Sequence, residues 1–136
     1  MDNDNIRWRQ RFQNFEKTLL YLQEAMQIKD PDIFQAAGVI HFFEMAFELS
    51  WNVVKDYLEE QGFDDIKSPR SSLKKAFEIG LIKDGENWLK LLSDRNLTSH
   101  TYDDEKVREV IALIHERYYP LMNQLYNTFN QKQNEQ

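Results

Sequence analysis

The chain of 136 residues contains no cysteine. Disulfide scaffolds, thiolate zinc sites and cysteine nucleophiles are therefore excluded. Glycine (4) and proline (3) are scarce, well below their usual share. So few turn-formers exclude a sandwich or barrel of many short strands. No window approaches about 18 uninterrupted apolar residues, so no membrane span is predicted. The segment from Met1 to Arg11 is polar and charged and has no apolar region of the secretory type. A soluble, cytoplasmic protein is the expectation. No linker, low-complexity run or internal repeat interrupts the chain, and residues 1–136 are expected to form one helical domain.

Nine Phe, six Tyr and three Trp are too many aromatics for a disordered chain. The net charge is −6, from 23 acids and 17 bases. That argues against a protein that coats nucleic acid broadly.

The apolar spacing is helical almost throughout. Trp8, Phe12, Phe15, Leu19, Leu22 and Met26 lie on one face of a helix over roughly residues 5–28. Asp30-Pro31 reads as an N-cap with Pro at the first helical position. A second helix then runs from about residue 31 to Gly62 and is apolar around most of its circumference. Its polar stripe is narrow: His41, Glu44, Glu48, Asn52, Lys55 and Glu59. Such a helix is central in a bundle or buried between subunits. A bundle this small seldom surrounds one helix, so a symmetric homodimer is expected. Ser68-Pro69 opens a short helix to about residue 79, with Leu73, Ala76 and Phe77 inward. Asp84 or Gly85 opens the next, with Trp88, Leu91 and Leu92 on one face, reaching roughly residue 99. Thr101 or Asp103 caps the last, about residues 104–130. Pro120 lies within its apolar stripe and should kink it. The expected fold is all-α: an antiparallel bundle of four long helices plus one short one.

The three histidines show no metal-ligand spacing, and no HExxH, phosphate-binding glycine loop or dinucleotide fingerprint is present. No metal or cofactor is predicted. Glu44 and Glu48, one turn apart, can hold a cation, or form a solvated stripe or interface ion pairs. One segment carries chemistry: Asp94-Arg95-Asn96-Leu97-Thr98-Ser99-His100-Thr101-Tyr102. Trp88, Leu92, Arg95, Ser99 and Tyr102 step by helical spacing, so Arg95 continues an apolar face. An inward arginine is costly unless paired or lining a cleft. A structural alternative is a helix end, with Arg95 paired to Asp94 or Asp103 and His100 near the terminal carbonyls. Arg with His also suits phosphodiester chemistry. A guanidinium binds phosphate oxygens, and an imidazole moves protons near neutral pH. One histidine per chain is short of an acid and a base, and a dimer would supply both. Asp103, Asp104 and Glu105 follow directly. They are poor company for RNA but favourable in the first turn of a helix.

Arg95-Asn96-Leu97-Thr98-Ser99-His100-Thr101-Tyr102 resembles the HEPN signature Arg-x4-6-His. It is closest to the Arg-x4-His-x-Tyr form of small HEPN partners of minimal nucleotidyltransferases. Those partners are also called nucleotidyltransferase substrate-binding proteins or HepT-type toxins. Phe43 to Trp51, Tyr57 to Gly62, Ser68-Pro69-Arg70 and Ala76 to Ile82 resemble the same family, so the likeness covers roughly residues 8–125. The resemblance implies a homodimeric HEPN bundle that binds a separate minimal nucleotidyltransferase and acts as a metal-independent endoribonuclease toxin. Arg95 and His100 would be catalytic, with Asn96 and Asp94 in support. Tyr102 would receive AMP from the partner, silencing the toxin. The alternative is a non-catalytic subunit that binds a nucleotide or other substrate for the nucleotidyltransferase.

Overall fold

The computed structural model describes residues 3–95 and 103–135. All regular structure among them is helical: α1 (Asn3–Met26), α2 (Ile33–Glu60), α3 (Pro69–Glu78), α4 (Gly85–Asp94), α5 (Asp104–Leu113) and α6 (Tyr119–Gln133), with a π-helical turn, Ile114–Tyr118, between the last two. The all-α bundle is the expected one. No described helix is long and apolar enough to cross a membrane.

Local chemistry sets the boundaries. The second helix starts two residues later than the Asp30-Pro31 pairing predicts. Asp32 is its cap: the carboxylate accepts from the Gln35 N–H at 2.8 Å, and the Gln35 side chain accepts from the Asp32 N–H at 3.0 Å. A cap at Asp30 would place Ile33 third, with no side-chain acceptor to close this reciprocal box. Asp30 instead takes a left-handed turn, φ 49°. Ser68 caps α3 in a reciprocal pair with Ser71, and Pro69 follows as the first helical residue. Asp84 caps α4 and Asp103 caps α5. Gly62 and Gly80 terminate their helices at φ 95° and 82°, where a side chain would be strained.

α1 and α2 form an antiparallel hairpin. Trp8 meets Tyr57 and Arg11 meets Asp56 at one end, while Tyr21 meets Phe42 nearer the connection. α6 returns antiparallel along α1, pairing Phe129 with Trp8 and Tyr126 with Glu16. Trp8, Phe12, Phe15, Leu19 and Leu22 are all buried, as their spacing predicts. α2 packs on α1, α3, α5 and α6, which makes it the central helix. Its circumference is therefore largely covered within one chain. The large apolar residues it leaves exposed are Ile33 and Phe34 at its start and Met45. Phe77 was expected inward and lies half exposed, while Leu73 and Ala76 beside it are buried. A ten-residue helix at the rim of the bundle has only a narrow inward stripe, and Phe77 falls beside it.

Pro120 is preceded by the π-helical turn. It lacks the N–H that would continue the α-ladder. The turn before it widens, and the Tyr119 N–H bonds to the Ile114 carbonyl five residues back. The wider turn keeps Val110, Ile114, Tyr118 and Met122, each four residues apart, on the core side.

Candidate functional site

α4 ends at the segment to which the sequence assigns the chemistry. Its anchor is Trp88, fully buried, and its last residue is Asp94. Arg95 is the C-cap and keeps helical geometry, with its N–H on the Leu91 carbonyl. Trp88 and Arg95 lie seven residues apart, so the guanidinium emerges on the side that faces α2.

There it meets two consecutive residues of α2. Its carbon lies 5.7 Å from the centroid of the Phe47 ring, within cation–π range. Its Nη1 donates to Glu48 Oε1 at 3.2 Å. Arg95 is 34% exposed and Glu48 56%. The guanidinium is therefore paired at the edge of the core, still open to solvent. This meets the condition set by the sequence, that an arginine continuing an apolar face be paired or line a cleft. An ion partner among the described residues is Glu48, across the bundle, where the sequence pointed to Asp94 or Asp103. Glu48 is itself fixed. Its Oε2 accepts from Trp51 Nε1 at 3.0 Å, and its carbonyl accepts from Asn52 Nδ2 at 2.7 Å.

Asp94 has a different task. Its carboxylate accepts a short hydrogen bond from the Tyr118 hydroxyl in the π-turn. Tyr118 is buried and stacked on Phe43, 5.8 Å between centroids and 17° between planes. Burial and the bond to the Asp94 carboxylate push its phenol pKa well above the ordinary value. Tyr118 therefore stays a proton donor, and it ties the end of α4 to the last helix.

The structure thus places Asp94 and Arg95 together and adds Glu48, Phe47, Trp51 and Tyr118 around them. In the sequence Glu48 stood, with Glu44, as a residue that could hold a cation, line a solvated stripe or form interface ion pairs, and Tyr118 only as part of the apolar stripe of the last helix. Asn96, His100 and Tyr102 lie outside the described residues. His41 and His115 are exposed on other helices. Among the described residues no three His, Asp or Glu side chains gather as a metal site would require. Asp103, Asp104 and Glu105 cap and open α5, as expected for acids at a helix N-terminus. Arg7 and Arg11 face Glu59 and Asp56 of α2. Those positions lie about two to three turns further along α2 than Glu48.

Residues 10–131 match the family model described as nucleotidyltransferase substrate binding protein like. The chain belongs to that family. A curated relative, Probable ribonuclease HepT of Haemophilus influenzae, is 35% identical over 76% of this chain and 76% of its own. A crystal structure of a protein from Thermus thermophilus superposes with a TM-score of 0.75 at 31% identity. It covers 83% of this chain and 96% of that one. In this member of the family, the matched span includes the whole segment from Asp94 to Tyr102.

Proposed function

We propose that the protein is the HEPN ribonuclease of a two-protein toxin–antitoxin system whose other member is a separate minimal nucleotidyltransferase. The observation that carries this is Arg95, a partly exposed guanidinium fixed by Phe47 and Glu48 at the end of α4. His100 follows five residues later in the sequence. The name of the Haemophilus influenzae relative, Probable ribonuclease HepT, supports the reaction class, and the family's name supports the partner.

In this scheme Arg95 binds phosphate oxygens and stabilises the charge that builds as a ribose 2′-oxygen attacks phosphorus. One His100 takes the 2′-hydroxyl proton as the new P–O bond forms. A second His100 gives a proton to the 5′-oxygen as its bond to phosphorus breaks. The products are a 2′,3′-cyclic phosphate and a 5′-hydroxyl. Two imidazoles are needed, so the active form is a homodimer with the two segments at one cleft. Asn96 shapes that cleft, and Asp94 steadies it through Tyr118. The partner silences the toxin by adenylylating Tyr102. The phenol oxygen attacks the α-phosphorus of ATP, pyrophosphate leaves, and the phenol proton passes to water. The anionic AMP group then crowds the cleft and repels RNA.

Expression in cells without the partner, beside a His100→Ala control, tests this. Growth arrest with fragmented RNA is expected for the natural chain only. Equal growth and intact RNA in both would overturn the ribonuclease. The net charge of −6 favours a second reading, a non-catalytic subunit that binds a nucleotide for the nucleotidyltransferase. Intact RNA with calorimetric nucleotide binding would select it.

A further inference from the structure

Arg95 does not meet an anion in an otherwise neutral setting. Glu48 accepts from its Nη1 at 3.2 Å and is held from the other side by Trp51 at 3.0 Å. The Trp51 bond lies within one turn of α2, so the carboxylate is held by its own helix independently of α4. A phosphate that binds Arg95 must sit beside this carboxylate or push it aside. Asp94 adds a second negative charge at the next residue, held on Tyr118. Every negative charge on a ligand is thus taxed by carboxylates that come with the arginine.

We infer that Glu48 is a positioning residue that makes the Arg95 site select singly charged phosphodiesters over doubly charged phosphomonoesters. The inference rests on reading Arg95 as the phosphate-binding group. The mechanism is Coulombic. A diester carries one charge. A terminal monoester carries nearly two at neutral pH or above, since its second pKa is about 6. The second charge meets the same carboxylate. At a separation of about 6 Å and a water-rich effective dielectric of roughly 40–80, fitting for a carboxylate this exposed, that lowers affinity about three- to tenfold per unit charge. Internal RNA linkages satisfy the site, while free mononucleotides and the 5′-phosphate ends of RNA are disfavoured. Phe47 and Trp51 supply the apolar side of the same wall.

The test is calorimetry at pH 8 on the full chain with two probes, adenosine 5′-monophosphate and its 5′-methyl ester, which share a base and differ by one charge. Relative to Glu48→Gln, the natural chain is expected to shift its preference toward the methyl ester. Glu48→Gln keeps the size and an acceptor oxygen for Trp51. It should tighten both probes, and the dianion by a further three- to tenfold (about the Coulombic factor above). Trp51→Phe removes the anchor but not the charge and should leave the preference in place. The preference should also shrink with added salt in the natural chain and not in Glu48→Gln. Arg95→Ala separates the two claims. If it leaves both probes bound as before, or if the natural chain binds neither at millimolar probe, the phosphate-binding reading falls. If it abolishes binding while Glu48→Gln leaves the ratio of affinities unchanged or weakens both probes, only the role of Glu48 falls.

Discussion

Two of the arginine–carboxylate pairs that join other helices to α2 have nearly the same separation, and they do different work. Arg11 Nε lies 3.1 Å from Asp56, whose side chain is 1% exposed. Arg95 Nη1 lies 3.2 Å from Glu48, whose side chain is 56% exposed. In the first pair the carboxylate has left water, and neither of its oxygens has a hydrogen bond among the described residues. Burial raises its pKa, with Arg11 the leading opposing influence. In the second pair both partners keep contact with solvent. The difference follows from register. Asp56 falls on the inward face of α2 and is covered by α1, while Glu48 lies on the narrow polar stripe beside the end of α4. A pair locked in the interior fixes the fold, and a pair at the rim leaves its arginine within reach of a ligand.

The comparison breaks first at Arg11. Arg11→Met leaves Asp56 buried without its cation and should cost about 3–5 kcal/mol at pH 7. That lowers the melting temperature by roughly 10 °C or more. The sign of the pH dependence follows from the raised pKa of Asp56. The folded chain holds this proton more readily than the unfolded one. The contribution of Asp56 to stability is therefore fullest below the ordinary carboxylate range, and it declines as pH climbs through the raised value. A protonated Asp56 needs no cation, so the gap between Arg11→Met and the natural chain should narrow from pH 7 to pH 4. Urea unfolding at the two values measures it. An equal gap at both, or one below about 1 kcal/mol, would show that this pair resembles a surface one.

Tyr118→Phe should have an intermediate effect. It deletes the hydroxyl that bonds Asp94 and leaves the ring stacked on Phe43. A bond to a charged acceptor is worth about 1.5–3 kcal/mol, and the lower end is expected because Asp94 can turn to water. The loss should also loosen the end of α4, so under the proposed function RNA cleavage should fall more than the melting temperature suggests. A variant with full cleavage would show that Asp94 and Tyr118 only staple the helices.

The helices were legible because each needs only its own spacing. The stripe from Trp8 to Leu22, the cap at Ser68 and the paired candidates Asp84 or Gly85 and Thr101 or Asp103, of which Asp84 and Asp103 are the caps, depend on residues within a turn or two. The errors came where two local signals competed or where neighbours decide. Asp30-Pro31 and Asp32 both resemble a start, and only Asp32 has Gln35 to complete the box. Phe77 looked inward by spacing, yet burial depends on what packs opposite. Pro120 announced a disruption, and spacing alone does not say that it takes the form of a π-turn. At the site, the sequence marked Arg95 and Asp94 by chemistry. Glu48 and Tyr118 lie 47 and 24 residues away from them. Their meeting is set by how α2, α4 and the π-turn dock, and no short-range pattern encodes that.

The smallest expected effect sharpens the comparison most. Glu48→Gln should change stability by less than about 1 kcal/mol, because an exposed pair gains little beyond its hydration. Its melting temperature should stay within a few degrees of the natural chain. The same substitution alters the charge beside Arg95, so ligand binding should respond where stability does not. Arg11→Met should show the reverse at Arg95: a large loss of stability and, at temperatures where the chain is folded, unchanged anion binding. If Glu48→Gln proves as costly as Arg11→Met, then Glu48 is a strut like Asp56, and the exposure of the Arg95 pair has no functional meaning.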